Sequence, residues 1–182
     1  MELGIIEKAL RIAAKAHKEQ VRKTDKSPYI VHPIQVGIIL MLHQFDDEVV
    51  ASGIVHDVIE DTDVTEAELR EELGDVVVDI VLQISENKDL EWKERKLDYI
   101  ETVRNGSDAV KAVSIADKIH NMKSLLDSYE VMGSDVLKVF TRGNKEGKLW
   151  FEEECLKMFK ESWGHPLVDE YESLVEKFRE LK

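Results

Sequence analysis

Apolar residues recur at three- and four-residue intervals along this chain. Near the start they fall at Leu3, Ile6, Leu10, Ala13 and Ala14, a stripe that His17 continues, and near the end at Leu167, Tyr171, Leu174, Val175 and Phe178. That period belongs to the α-helix rather than the strand. Only three prolines and nine glycines interrupt 182 residues, too few turn formers for a β-sandwich. The fold class this predicts is all-α, a compact multi-helix bundle of about 8–10 helices. The spacing predicts helices over 2–20, over 33–43 with His32 as approximate N-cap, and from Asp46 or Asp47 through Ile59. Thr65 and Glu68 form a capping box for a short helix that Gly74 ends. Further helices are expected at about 75–84, 90–104, 107–127, 134–142, 145–162 and 166–181. Residues 1–182 read as a single domain, and the C-terminal stripe is expected to pack on that same domain.

Several functional classes fall away. The longest apolar run, Val36 to Leu42, is far short of the roughly 20 residues that a membrane helix needs. Charges recur every few residues through the first twenty, so the N-terminus reads as an amphipathic helix and not as a secretory signal. Cys155 is the only cysteine, which leaves no internal disulfide and no cysteine-based zinc site, and fits a reducing, cytoplasmic setting. With 25 Lys+Arg against 38 Asp+Glu the net charge is −13, which argues against nucleic acid as a partner. A small anionic ligand remains compatible, because a basic pocket or a bound metal inverts the field locally. The oligomeric state has no signature in the sequence.

Four segments carry chemistry. In GIVHDVIEDT, Glu60 lies four residues after His56, and Asp61 four after Asp57. On a helix this spacing gathers an imidazole and three carboxylates on one broad face. Buried among Ile54, Val55, Val58 and Ile59, four such groups are costly unless paired. A divalent cation is the simplest partner, and a solvated helix end is the alternative. Mixed His and carboxylate ligands suit Mn²⁺, Fe²⁺, Zn²⁺ or Co²⁺ better than Ca²⁺. His32, inside PYIVHP, reads either as a preset ligand or as an ordinary cap. Asp117 and Asn121, in SIADKIHNMKSLL, are one turn apart and read as inward-facing. HKEQVRKTDK concentrates Lys18, Arg22, Lys23 and Lys26, either a phosphate or base clamp or plain surface.

The order of these segments resembles the HD-domain metal-dependent phosphohydrolases. Within them it is most similar to the hydrolase domain of the RelA/SpoT family and to small alarmone hydrolases of the Mesh type. AAKAHKEQVRKTDKSPYIVHPIQVGIIL, the stretch from VVASGIVHDVIEDT to ISENK, ERK, and KAVSIADKIHNMKSLL carry the likeness, with FTRGNKEGKLW further on. It covers roughly residues 5–160, with core motifs in 17–121 and substrate-side and C-terminal helices in 130–182. The resemblance implies His32, His56, Asp57 and Asp117 as ligands of a metal, typically Mn²⁺, with Fe²⁺, Zn²⁺ or Co²⁺ also compatible. It implies Glu60 and Asp61 as the acidic pair that positions and activates water. Arg22 and Lys23 match residues lining the base and phosphate side, Asn121 one that holds the ribose, and Arg142, Lys145 and Lys148 later phosphate contacts. Two departures stand out: Phe151 follows Trp150 where relatives usually carry Tyr, and His120 stands where the Mesh-type branch has Tyr.

The implied activity is hydrolysis of the 3′-pyrophosphate of (p)ppGpp to GDP or GTP and pyrophosphate, with no synthetase activity. A phosphatase on another 2′- or 3′-phosphorylated nucleotide such as NADPH, or a non-catalytic nucleotide-binding HD module, are the alternatives. An acidic helical interaction module is a third, and it leaves the clustered acids unexplained.

Overall fold

The computed structural model describes residues 4–139 and 144–181. Among them the helices are α1 (Ile5–Ala16), α2 (Val31–Leu42), α3 (Asp47–Val55), α4 (Val58–Asp61), α5 (Glu66–Ile84), α6 (Trp92–Asn105), α7 (Asp108–Met132), α8 (Asn144–Ser162) and α9 (Pro166–Glu180). A 3-10 helix, Gly133–Val139, follows α7. Among the described residues, pairing outside helices is limited to one isolated antiparallel bridge, Val21 with Pro28. The architecture is all-α. None of the described helices is long and apolar enough to cross a membrane.

Helix α7 is the axis of the bundle. Val110, Ala112, Val113, Ile115, Ala116, Ile119, Met122 and Leu125 are buried along it, and it packs against α2, α3, α5, α6 and α9. Ser107 caps its start by accepting from the Val110 N–H (3.3 Å). Helix α9 closes one side, with Leu167, Tyr171, Leu174, Val175 and Phe178 all buried, so the C-terminal stripe does pack on its own core. The Thr65 capping box forms, and Gly74 at φ 82° breaks α5 there because an L side chain is strained in that region.

Five expected boundaries change, one of them the end of α7, which runs on to Met132 rather than stopping near residue 127. Helix α1 ends at Ala16 rather than near residue 20, because the Gln20 N–H turns back to the His17 carbonyl (3.0 Å) and the His17 ring is buried. His32 is not a cap: Ile30 takes that position, and the His32 ring is buried inside the bundle. The helix expected through Ile59 stops at Val55. His56 Nδ1 bonds the Gly53 carbonyl (2.8 Å), the acceptor an unbroken helix would offer to the Asp57 N–H. The segment expected to be helical over 134–142 is 3-10 as far as Val139, and residues 140–143 lie outside the described residues.

Helices α2 and α3 carry the two histidines, and they touch at glycines. A Cβ on Gly37 would meet Ile54 Cγ1 at 2.6 Å, and one on Gly53 would meet Leu40 Cδ1 at 2.4 Å. Gly37→Val is therefore expected to cost roughly 2–3 kcal/mol by overpacking this crossing. Urea unfolding measures it, and a loss below about 0.5 kcal/mol would show that the crossing is not tight.

Candidate active site

The loop after α1 is a tight hairpin. The Arg22 N–H donates to the Ser27 carbonyl (2.8 Å), the Tyr29 N–H donates to the Gln20 carbonyl (2.9 Å), and Asp25 Oδ1 accepts from the Ser27 N–H (3.0 Å). It ends in Pro28 and Tyr29, from which α2 starts with His32 in its first turn. The break after α3 turns His56 and Asp57 toward His32, and α7 brings in Asp117.

These four side chains meet. His32 Nε2 lies 3.1 Å from Asp117 Oδ1 and 3.5 Å from Asp57 Oδ2. His56 Nε2 lies 3.1 Å from Asp57 Oδ2 and 3.6 Å from Asp117 Oδ1. One ligand atom each from His32, His56 and Asp57 fall within 4.8 Å of one another. Both imidazoles are held by their far nitrogens. His56 Nδ1 is committed to the Gly53 carbonyl, and His32 Nδ1 lies 2.7 Å from His120 Nδ1. Because a carbonyl only accepts, the His56 Nδ1 carries the proton of the neutral ring and its Nε2 lone pair faces the cluster, as metal-binding histidines require. His56 Nε2 is buried and has no hydrogen-bond partner. A buried ring nitrogen with no hydrogen-bond partner, set against two carboxylates, fits a divalent cation that would take the place of the ring's proton, so the donor set passes that test.

The electrostatics agree. Burial opposes charge on His56, but Asp57 and Asp117 outweigh it and hold its pKa well above the ordinary value. Burial likewise disfavours the Asp57 carboxylate, yet His56 and His32 pull its pKa down to about 2. Asp117 is held well below the ordinary range despite its burial, by the neighbouring His32 and His56 rings. Both acids are thus ionised and available to a cation.

Tyr29, which the sequence reading did not single out, donates its hydroxyl to Asp57 Oδ2. Asn121 Nδ2 donates to Asp117 Oδ1 (2.6 Å), and Arg22 Nη2 donates to Asn121 Oδ1 (3.1 Å). A chain of donors therefore runs from the hairpin to the metal-type cluster. The cluster lines a cavity of about 160 Å³, shared with Glu60, Glu86, Tyr99, Ser114 and Lys118. Next to it lies a wider cleft of about 640 Å³, lined by Arg22, Lys23, Tyr29, Asp61, Asn121 and Lys148 among others.

Glu60 and Asp61 part company. Glu60 lines the small cavity; its Oε2 accepts from the Glu86 N–H (3.3 Å), and Lys88 Nζ is 3.5 Å from Oε1. Asp61 is 44% exposed, lines the wider cleft and lies 3.3 Å from Lys88 Nζ. The single face expected for His56, Asp57, Glu60 and Asp61 is thus divided by the break at residues 56–57. Lys148 reaches the cleft wall while pairing with Glu152. Lys145 does not reach it: its ammonium donates to the Leu181 carbonyl at the end of α9. Arg142 lies outside the described residues.

A family model described as HD domain matches residues 9–142. The chain belongs to the HD-domain family. The guanosine-3′,5′-bis(diphosphate) 3′-pyrophosphohydrolase MESH1 of Xenopus tropicalis is 36% identical to this HD-domain chain over 128 residues, 68% of this chain and 71% of that protein. The guanosine-3′,5′-bis(diphosphate) 3′-pyrophosphohydrolase of Haemophilus influenzae is 38% identical over 120 residues, 63% of this chain but 18% of that much longer protein. Among solved structures, a metazoan ortholog of SpoT, described as hydrolysing ppGpp and acting in starvation responses, superposes with a TM-score of 0.82 at 25% identity, over 100% of this chain and 99% of that one. The Listeria monocytogenes EGD-e protein lmo0812 gives a TM-score of 0.75 at 36% identity, over 82% of this chain and 99% of that one. The HD domain implies a divalent cation, and His32, His56 and Asp57 are placed to hold it.

Proposed function

We propose that this HD-domain chain hydrolyses the 3′-pyrophosphate ester of ppGpp and pppGpp, releasing pyrophosphate and GDP or GTP. The observation that carries this reading is the two-His, two-Asp cluster opening onto a cleft of nucleotide size with Arg22, Lys23 and Lys148 in its wall. The relatives' names support the substrate. The ligands in this reading are His32, His56, Asp57 and Asp117, and the cation is Mn²⁺, with Fe²⁺, Zn²⁺ or Co²⁺ as substitutes of the same donor preference. The buried free thiol of Cys155 suits a reducing cytoplasm, and residues 1–182 act as one domain.

A divalent cation in the cluster acidifies water and offsets phosphate charge. Arg22 and Lys23 bind the nucleotide from the hairpin, and Asn121 positions the ribose while anchoring Asp117. Glu60 takes a proton from the attacking water, whose oxygen bonds to the ester phosphorus. The bond from that phosphorus to the ribose 3′-oxygen breaks, and this oxygen leaves with the electron pair and takes up the proton that Glu60 received, which restores the base. Asp61, held by Lys88 and by Gln20 on its backbone carbonyl (2.7 Å), orients the water.

Burial raises the Glu60 pKa above its ordinary 4.5, against the Glu86 N–H and Lys88, which lower it. A base acts only when deprotonated, so kcat/KM is expected to fall on acidification through a midpoint above 4.5. Glu60→Gln is expected to lose at least about 10²-fold in kcat. A Gln variant within threefold of wild type at saturating Mn²⁺ assigns the proton transfer elsewhere. Side-by-side kinetics on ppGpp, pppGpp and NADPH test the substrate: a preference for ppGpp above about 100-fold is expected, and a comparable preference for NADPH would contradict it.

A further inference from the structure

Among the described residues that line the small cavity, one is a lysine, and the hydrolysis above does not use it. Lys118 follows Asp117 on α7, is only 6% exposed, and lines the same cavity as the cluster. Its Nζ sits 4.5 Å from the Tyr99 ring centroid and 4.6 Å from that of Phe151. The rings are themselves fixed. They pack edge to face at 5.9 Å, and the Tyr99 hydroxyl shares a 2.6 Å hydrogen bond with Ser114 Oγ.

Buried ammonium groups are normally paired with a carboxylate. Lys118 is not: among the described residues no carboxylate oxygen lies within 4.0 Å of its Nζ. The acids nearby are committed elsewhere. Glu152 is held by Lys148 and by the Tyr171 hydroxyl. Glu86 is held by Arg95 and Lys96. Asp117 Oδ1 is held by His32 and Asn121. Two aromatic faces occupy part of its surroundings, and its remaining side is the cavity. A lysine in this setting is a fixed positive charge with N–H donors free for an anion.

We propose that Lys118 is an anion-binding residue of the cavity, whose ammonium donates to a non-bridging oxygen of the phosphoryl group undergoing hydrolysis and of the pyrophosphate that forms. The phosphoryl identity rests on the function proposed above; the anion site itself rests on the lysine's burial and missing partner. Sharing the cavity with Glu60, it stabilises charge that builds on phosphate during the reaction.

The test uses the full chain loaded with Mn²⁺, with metal in excess so that pyrophosphate is the same metal complex in every run. Lys118→Met keeps the aliphatic stem over the rings and removes the charge. It is expected to leave Mn²⁺ affinity and helical content unchanged, to weaken inorganic pyrophosphate binding by at least about 10-fold, and to lower kcat on ppGpp by at least about 30-fold. Lys118→Arg is expected to restore pyrophosphate binding to within about threefold. Pyrophosphate binding and kcat of the Met variant within threefold of wild type would overturn the proposal and leave Lys118 a packing residue. Should the Met variant not fold, the lysine ammonium NMR signal missing from the Arg variant identifies Lys118 in Zn²⁺-loaded wild type. A shift of that signal on adding pyrophosphate supports the site, and an unmoved signal at saturation overturns it. Absence of ppGpp turnover by wild type would reject the substrate reading alone, because the pyrophosphate arm still decides the anion site.

Discussion

Asp117→Ala is expected to lower turnover of ppGpp by at least about 10³-fold, equivalent to some 4 kcal/mol of transition-state stabilisation. Asp117 Oδ1 faces the Nε2 atoms of both histidines and takes the Asn121 amide. Removing it takes one proposed ligand from the cation and also releases Asn121, the link back to Arg22. The helix that carries it has other reasons to stay folded: Val113, Ile115, Ala116, Ile119 and Met122 remain packed around it. Far-UV circular dichroism should therefore match wild type, while calorimetry with Mn²⁺ shows a weakened or absent site. Asp117→Asn separates the two roles, since the amide keeps the shape and loses the charge. Near-normal turnover by either variant after loading with metal would remove Asp117 from the machinery.

Glu152→Ala is expected to destabilise the protein by about 3–5 kcal/mol, the scale for breaking a buried charge pair. Glu152 is 1% exposed on α8, and its two oxygens bind the Lys148 ammonium and the Tyr171 hydroxyl. The Lys148 and Lys118 charges lower its pKa against the cost of burial, so it is buried as a carboxylate. Without it the fully buried Tyr171 hydroxyl keeps only a 3.3 Å contact to the residue 152 carbonyl. For a chain of this size the loss corresponds to a drop of roughly 6–20 °C in Tm, read by calorimetry at neutral pH. A drop under about 2 °C would show that the pair is dispensable and that α8 and α9 are held by apolar packing alone. A depressed carboxylate pKa contributes stability above its unfolded-state value and loses it on acidification, so the gap between wild type and Glu152→Ala narrows as the pH falls below the ordinary glutamate range.

What the sequence shows about this molecule follows from distance along the chain. The helical period, the Thr65 capping box, the break at Gly74 and the buried stripe of α9 depend on neighbours within a few residues, and each is present in the structure. The break at His56 is not visible that way, because it depends on a side chain taking a carbonyl from the backbone ladder. Once the helix breaks there, a face built on unbroken four-residue spacing cannot persist: Glu60 and Asp61 share an outer cleft beside Lys88, but only Glu60 also lines the cluster's cavity. Tyr29 sits three residues before His32 in PYIVHP, a spacing that places it beside the cluster, but only the fold aims its hydroxyl at Asp57. Lys145 and Lys148 differ by about 60° around one helix, which is enough to send one to α9 and the other to the cleft. Lys118 escapes notice for a different reason: nothing in SIADKIHNMKSLL marks this lysine as buried, and only the fold places it over Tyr99 and Phe151.

The central claim is tested most directly by incubating EDTA-stripped protein with ppGpp, with and without added Mn²⁺, and separating the products. Release of GDP and intact pyrophosphate only when the metal is restored is the predicted result. Turnover that persists without metal, release of orthophosphate in place of pyrophosphate, or no turnover with Mn²⁺ bound at full occupancy would contradict it.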